Sequence, residues 1–381
     1  MGDITEGTFL AERLLGISAY LLLTLFSYLA IKSAKSYEDI SRTLNITLLI
    51  LCVMAFFYVP ATSADLFRWR KIIANWDQMS FRQFFNSTMK TSSTPLAYLL
   101  FYITEKAGIP GLLPSFACFV YHLVVFSIIK SETKRRNLTA KAVSVVYFFF
   151  MSQGLFLGVI SSIRNGLAFA IAAYCVYKDL VLKEKRLFYC ILSLFSIFIH
   201  VSMVPLVAIY LSISVFLGWS QTTWINNFIK FLLFTPLVYY VINFRSDLIE
   251  LVTEKAENYL SGNYYSYRWE FLIAIMAWGC MVYIIARYKK SFFDNNMTSL
   301  FVYCVVILVM VILLIKSYSI FHRFTNFVNV LAIPILLKTC DGEMREGNIV
   351  FNRNILIISA AILLLACTRG DLCGYKFLAF S

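Results

Sequence analysis

The sequence predicts an all-α polytopic integral membrane protein, and three observations lead to this prediction. Hydrophobic residues make up 60% of the 381 residues and charged residues only 14%. Apolar runs of about 17–25 residues, long enough to cross a bilayer as helices, recur along the whole chain. These runs do not alternate polar and apolar residues as the strands of a transmembrane barrel do. We expect about 11–14 transmembrane helices in a single domain over residues 1–381, and a GT-C-like architecture would fit that count.

The individual spans are predicted from the apolar runs. The run over residues 187–218 is too long for one upright helix, and His200 near its centre predicts a turn between two short or tilted helices. The predicted spans lie near residues 14–31, 44–60, 111–129, 142–160, 167–182, 187–199, 203–218, 226–243, 270–286, 298–315, 324–337 and 354–367.

Basic residues in the short loops orient these spans, because loops rich in lysine and arginine stay on the cytoplasmic side. An outer segment over residues 61–107 then follows the second span, and a second outer loop covers residues 244–269. Glu105 and Lys106 interrupt the apolar residues 94–129. We therefore expect residues 94–107 to be interfacial or re-entrant, with two full spans as the alternative. The inner loops are marked by basic clusters near residues 32–42, 130–141, 178–186, 287–290 and 338–353.

The outer segment after the second span mixes aromatic and basic side chains, which is typical of an amphipathic helix lying in the membrane interface. It begins with A-D-L-F-R-W-R-K at residues 64–71, where Asp65 and Arg68 would share a helix face. One interpretation is an ordinary ion pair at a helix start. The other is a carboxylate and a cation at the rim of a substrate cavity, with Arg70 as a further contact.

Two more ionisable residues lie at predicted helix ends on the same side. Arg164, in S-S-I-R-N-G-L-A, would lie in the first turn of a helix, where a cation opposes the helix dipole unless an anion lies between them. Arg164 is therefore a candidate phosphate ligand, and an arginine reaching the lipid headgroups is the alternative. His200 in F-I-H-V-S lies at a predicted outward turn, and a neutral histidine can accept a proton from a hydroxyl near neutral pH.

The later outer segments add further candidate ligands. His322 and Arg323 open the penultimate predicted span, and Arg323 is a second candidate anion ligand. The loop over residues 244–269 ends in aromatic residues whose flat faces can stack on sugar rings, although an aromatic belt at the interface has the same composition. The residues of this loop that we predict to contact substrate are Tyr264, Tyr265, Tyr267, Arg268 and Trp269.

Several classes of function find no support in the sequence. The nine cysteines are scattered without metal-ligand spacing, and the outer segments hold isolated carboxylates rather than a cluster. No nucleotide-binding glycine motif is present. The net charge of +13 fits contact with anionic lipids, and no soluble basic module for nucleic acid exists. We therefore expect no metal, no cofactor and no nucleic acid partner.

Three of these motifs carry a resemblance to a known family. D-L-F-R-W at 65–69, I-R-N-G-L-A at 163–168 and H-V-S at 200–202, in this order, resemble the EpsG-like Wzy polysaccharide polymerases over roughly residues 60–210. Arg323 is a weaker match near the end of the chain. The chain has Trp69 where the family pattern suggests tyrosine, and Asn165 where it suggests glutamine.

The resemblance implies an enzyme of O-antigen, capsule or exopolysaccharide assembly in the bacterial inner membrane. Such an enzyme moves the growing glycan from undecaprenyl diphosphate to a sugar hydroxyl of an incoming lipid-linked unit at the periplasmic face. Arg164 and Arg323 would stabilise the leaving diphosphate, and His200, or else Asp65, would accept the proton. Donor and acceptor oligosaccharide lipids, inner-membrane lipids and a chain-length regulator are the implied partners.

Two other functions remain open on the sequence alone. A flippase or transporter of lipid-linked oligosaccharide would also need arginines on the outer side, together with polar residues along a path through the spans. A different glycosyltransferase or ligase would use the same lipid-linked donor with another acceptor.

Overall fold

The computed structural model describes residues 6–60, 64–90, 92–216, 295–313 and 318–368. This part of the chain is 85% helical and contains no strand, which confirms an all-α polytopic membrane protein. Four of its helices are long and apolar enough to cross a bilayer, and a bent pair of shorter helices adds a fifth candidate. The helices are α1 (Glu6–Ser33), α2 (Tyr37–Phe56), α3 (Asp65–Ile73), α4 (Phe81–Phe84), α5 (Pro95–Lys106), α6 (Leu112–Arg136), α7 (Ala140–Ser152), α8 (Leu155–Ser161), α9 (Ile163–Val176), α10 (Arg186–Ile199), α11 (Met203–Phe216), α12 (Asn295–Leu313), α13 (Tyr318–Leu331), α14 (Ile333–Arg345) and α15 (Ile349–Thr368).

The described residues form two compact units, of which the first comprises residues 6–60, 64–90, 92–171, 198–201 and 333–368. Within it, α2 packs along α6, and α7 is the shared neighbour of α1, α14 and α15. Because helices surround α7, almost all of its residues are buried, including Tyr147 and Phe150. Polar contacts reinforce this packing, since the Tyr20 hydroxyl donates to the carbonyl oxygen of Met151 at 2.7 Å.

The second unit comprises, among the described residues, 172–197, 202–216, 295–313 and 318–332. Here α12 packs against α11, α13 and a π-helical turn at Tyr177–Val181. The turn carries Asp179, a buried carboxylate that accepts hydrogen bonds from the Tyr210 hydroxyl at 2.7 Å and the Ser214 hydroxyl at 2.6 Å. The guanidinium of Arg186 lies 3.5 Å from the other carboxylate oxygen. These groups satisfy a charge that would otherwise be costly to bury.

Several predicted boundaries need correction. The predicted span over residues 142–160 is broken, because Gly154 has a φ of 65° and α7 and α8 meet at a bend of 50°. The predicted span over residues 324–337 is also broken, since α13 ends at Leu331 and α14 begins at Ile333. The break predicted at His200 is confirmed, because α10 ends at Ile199 and α11 begins at Met203.

The second predicted span begins earlier than expected. The basic loop predicted over residues 32–42 is mostly helical, because α2 already begins at Tyr37. Ser36 and Asp39 form a capping box, in which each side chain bonds the backbone N–H of the other. The helix can therefore start among charged residues that hydropathy alone assigns to a loop.

The first unit has a basic end, which we define as the place where α6 ends and α7 begins. Glu132 is fully buried there and receives both guanidinium groups of Arg135 and Arg136, with closest N–O distances of 2.7 Å. Asp341 of α14 accepts from the backbone N–H of Thr139 at 2.8 Å and from Arg345 at 2.7 Å. Carboxylates thus neutralise the arginines of this end and bind its helices together.

Candidate functional site

The candidate site begins with the α3–α5 segment, which we define as residues 64–90 and 92–106 between α2 and α6. Asp65 is the first residue of α3, where a negative charge suits the helix dipole. Its carboxylate lies 3.4 Å from the guanidinium of Arg68, one helical turn later. The Arg68 side chain is 67% exposed and that of Asp65 is 31% exposed, so both groups remain accessible from outside the protein.

Aromatic rings hold this segment together. Trp69 of α3 meets two rings of α5, with its ring centroid 5.4 Å from that of Tyr98 and 5.1 Å from that of Phe101. Trp76, in the 3₁₀ turn after α3, also stacks on Tyr98, with ring centroids 5.5 Å apart. Edge-on and offset ring pairs of this kind stabilise packing beyond the area they bury. The cluster therefore gives α3 a rigid support.

Arg164 joins this support from a distant part of the chain. It lies in the first turn of α9, and its guanidinium carbon is 4.4 Å from the ring centroid of Trp69. A cation over an indole face is attracted by the ring quadrupole, and its N–H groups still extend along its own plane. The structure thus brings Arg164 together with α3, the helix that carries Asp65 and Arg68.

The close packing of α8 on α9 defines the position of Arg164. A side chain at Gly166 would place its Cβ 2.9 Å from Cγ1 of Val159, so only glycine allows the observed approach. Ser162, between the two helices, has a non-helical backbone that turns the chain. α9 begins at Ile163, directly after Ser161 and Ser162, which confirms the helix start predicted in S-S-I-R-N-G.

Asn165 is a polar group of this region whose burial the sequence did not indicate. Its side chain is only 7% exposed, and its Oδ1 atom has no hydrogen-bond donor among the residues that the structure describes. A buried amide oxygen in this state costs free energy unless a bound molecule donates to it. It follows directly after Arg164 in the first turn of α9.

Arg70 lies on a different side of α3 from Arg68. Its guanidinium donates to the carbonyl oxygen of Pro110 at 3.0 Å, which ties α3 to the start of α6. Burial lowers the pKa of the Arg70 guanidinium, which nevertheless stays protonated at neutral pH. Arg70 thus adds a positive charge to this end of the first unit. Its hydrogen bond to the Pro110 carbonyl oxygen fixes the position of its side chain.

The remaining predicted site residues lie in the first unit, in the second unit or outside the described residues. His200 lies in the turn between α10 and α11, half buried, and belongs to the same compact unit as Asp65 and Arg164. Arg323 lies in α13 and belongs to the second unit. His322 precedes it in α13. The predicted substrate contacts over residues 264–269 lie outside the described residues.

One histidine was not singled out from the sequence. His122 in α6 is buried, and its Nδ1 atom lies 3.0 Å from the carbonyl oxygen of Cys118 one turn earlier. The rings of Tyr121 and Phe150 surround it. These contacts satisfy it as a core residue. Within the described ranges, no group of three histidine, cysteine or acidic side chains is arranged to hold a metal ion.

Comparison with known proteins identifies the family. Residues 75–378 match the family model described as the EpsG family, a range that includes Arg164, His200 and Arg323 and starts after Asp65 and Arg68. No curated protein and no solved structure matches the chain. The family match covers well over half of the chain and confirms the resemblance found in its motifs. This multi-pass membrane protein therefore belongs to the EpsG family, a family of Wzy-type polymerases for exopolysaccharide and O-antigen.

Proposed function

We propose that this chain polymerises oligosaccharide repeat units carried on undecaprenyl diphosphate, at the periplasmic face of the bacterial inner membrane. The observation that carries the proposal is the position of Arg164. Its guanidinium lies over Trp69 at the start of α9, beside the helix that holds Asp65 and Arg68. A preplaced cation at a helix N-terminus suits a phosphate-bearing ligand.

The leaving group explains why an arginine is needed at this position. When the bond between the anomeric carbon and the diphosphate oxygen breaks, negative charge grows on that oxygen. A guanidinium already held in place stabilises this charge without reorganising during the reaction, and its fork geometry fits phosphate oxygens. Arg164 is the first candidate for this role, and Arg323 is the second.

The acceptor requires a base. As the sugar hydroxyl of the incoming unit forms its bond to the anomeric carbon, its proton must pass to a nearby group. His200 is our first candidate and Asp65 the second, because an imidazole and a carboxylate can each serve as a general base. Direct displacement of the diphosphate would invert the configuration at the anomeric carbon.

The other predicted residues would bind rather than react. Arg68 is exposed beside Asp65 and Arg70 adds charge behind it, so both suit contacts to the diphosphate or to anionic groups of the glycan. We assign the same supporting role to His322, Arg268 and the aromatic residues Tyr264, Tyr265, Tyr267 and Trp269. Binding two lipids at one membrane face would also supply proximity, which lowers the barrier further.

The experiment that tests the proposal uses the purified full-length chain in lipid nanodiscs with lipid-linked repeat units. We expect the units to lengthen without any sugar nucleotide or added divalent metal. A requirement for a sugar nucleotide would overturn the polymerase assignment. Transfer to an acceptor other than a second repeat unit would indicate a ligase, and movement of the lipid without bond formation would indicate a transporter.

A variant of His200 tests the assignment of the base. His200→Ala should lower the rate of lengthening by about a hundredfold or more, because general-base catalysis contributes that much. Asp65→Asn should have the smaller effect if His200 is the base. Equal rates for His200→Ala and the unchanged chain, at equal protein level, would remove His200 from the site.

A further inference from the structure

A shallow, open cavity lies on the α3–α5 segment, apart from Asp65, Arg68 and Arg164. It has a volume of about 550 Å³ and is open to the outside over most of its surface. The 3₁₀ turn after α3 forms one side, and α4 with the π-helical turn Phe85–Met89 forms the other. Its lining consists of Asn75, Gln78, Met79, Gln83, Asn86 and Ser87.

The chemistry of this lining is unusual for a chain with a net charge of +13. Among the residues that the structure describes, no ionisable side chain lines the cavity, and four of the six lining residues carry amide side chains. Each amide has one acceptor oxygen and two donor hydrogens, although the oxygen of Gln83 already accepts hydrogen bonds from Ser80. A phosphate-binding site would be expected to contain arginine or lysine, and a metal-binding site would be expected to contain carboxylates. Neutral molecules whose groups both donate and accept, such as sugars with their hydroxyls, match this lining.

The walls of the cavity are held in place by their own hydrogen bonds. Ser80 and Gln83 form a capping box at the start of α4, and Gln83 Oε1 accepts from the backbone N–H of Ser80 at 2.8 Å. The hydroxyl of Ser87 donates to the carbonyl oxygen of Gln83 at 2.7 Å. The hydroxyl of Tyr102 donates to the carbonyl oxygen of Met79 at 3.0 Å. A preformed wall loses little entropy when a ligand binds.

Aromatic residues support the cavity from within. Trp76 and Phe84 are buried, and Phe84 stacks on Tyr102 with ring centroids 4.3 Å apart. Phe81 at the start of α4 and Phe85 in the π-helical turn that follows are 55% and 42% exposed. Exposed phenylalanines on an amphipathic element suit the membrane interface. The cavity would therefore lie at the membrane surface, where the glycan of a lipid-linked substrate begins.

A chain of ring contacts connects this cavity to Arg164. Trp76, beside Asn75, stacks on Tyr98 at 5.5 Å, and Tyr98 meets Trp69 at 5.4 Å. Arg164 lies 4.4 Å from Trp69. All of these residues belong to the first compact unit. One packed aromatic cluster therefore supports both Arg164 and a wall of the amide-lined cavity.

We infer that this cavity binds neutral sugar residues of the lipid-linked oligosaccharide while its diphosphate lies at Arg164. The inference rests on the proposed function, because it names a second contact point for the same substrate. It places sugar recognition on the α3–α5 segment, in addition to the aromatic residues predicted over 264–269. The neutral lining would select the glycan by its hydroxyls rather than by charge.

The test measures binding of a defined probe to the full-length chain in nanodiscs. The probe is a fluorescently labelled, lipid-free oligosaccharide released by mild acid from the polysaccharide of the host cell. Asn75→Ala combined with Asn86→Ala should weaken binding about tenfold, because two neutral hydrogen bonds are lost. Gln78→Ala is a second, independent variant and should weaken binding severalfold. Asn354→Ala is the matched control, since it removes an exposed amide from α15.

The outcomes separate this inference from the proposed function. Arg164→Ala should bind the lipid-free probe as the unchanged chain does, because the probe carries no diphosphate. If the cavity variants bind as tightly as the unchanged chain, or if the unchanged chain does not bind, the inference is overturned. Lengthening of lipid-linked units by the unchanged chain would leave the proposed function standing in that case. Absence of lengthening would overturn the proposed function, while the binding comparison still decides the role of the cavity.

Discussion

Arginines at the two ends of the first unit are held by different kinds of contact. At the basic end, Glu132 receives Arg135 and Arg136, and Asp341 receives Arg345, all at 2.7 Å. At the α3–α5 segment, Arg164 lies over the ring of Trp69 and Arg70 donates to a backbone carbonyl. Arg68 pairs with Asp65 at a longer distance, in an exposed position.

The difference separates structural charges from candidate functional ones. A buried carboxylate that binds two guanidinium groups uses their hydrogen-bonding capacity to hold helices together. The contacts described for Arg164 and Arg70 are to a ring face and to a backbone carbonyl, which orient a guanidinium. Substitutions at the basic end should therefore affect stability, whereas substitutions at the α3–α5 segment should affect the reaction.

The largest expected effect is on stability, at the basic end. Glu132→Ala would leave the largely buried guanidinium of Arg136 without its carboxylate, which costs about 3–5 kcal/mol in comparable pairs. We expect a lower unfolding temperature in detergent and little change in the activity of the protein that remains folded. Glu346→Ala, an exposed carboxylate of the same end, is the control. An unchanged unfolding temperature for Glu132→Ala would contradict the structural role.

The second largest effect is expected at Trp69, whose ring lies beneath the guanidinium of Arg164. Trp69→Ala removes the ring beneath the guanidinium and should slow lengthening about tenfold, since cation–π contacts contribute about 1–2 kcal/mol. Trp69→Phe keeps a smaller ring and should slow lengthening by less than Trp69→Ala does. Rates of both variants are compared at equal amounts of folded protein, because Trp69 also packs on α5. Equal rates for the alanine and phenylalanine variants would show that the ring does not position Arg164.

The smallest effect is expected at Arg68. Because its side chain is exposed and its pair with Asp65 is long, Arg68→Ala should raise the KM for lipid-linked units by no more than about fivefold. The kcat should stay close to that of the unchanged chain. A large fall in kcat would place Arg68 among the residues that act on the leaving group.

Hydropathy correctly predicted the all-helical fold class and one of the breaks between helices. The apolar run around His200 exceeds the length of one helix, so its division into α10 and α11 could be predicted. The break at Gly154 could not be predicted, because nothing in an apolar run indicates that a glycine will adopt a positive φ in the folded chain. The early start of α2 has a local signal in the Ser36–Asp39 capping box, which hydropathy ignores.

The sequence predicted that Arg164 lies at a helix start, but it did not predict which residues Arg164 contacts. Arg164 could be placed at a helix start from its neighbours Ser161 and Ser162, and the structure confirms that position. Its contact with Trp69 joins segments far apart in the sequence and depends on the fold of the whole unit. The amide-lined cavity was likewise hidden, because asparagine and glutamine in a polar segment read as ordinary exposed residues.

The most direct test of the account is the affinity of Arg164 for a diphosphate. Binding of farnesyl diphosphate, a short soluble prenyl diphosphate, would be measured by calorimetry on the purified full-length chain in nanodiscs. The Arg164→Ala variant should bind at least tenfold more weakly than the unchanged chain, because a charge-assisted contact to phosphate is lost. Arg353→Ala, an exposed arginine of α15, should bind as the unchanged chain does. Equal affinity of Arg164→Ala and the unchanged chain would contradict the assignment of Arg164 to the leaving diphosphate.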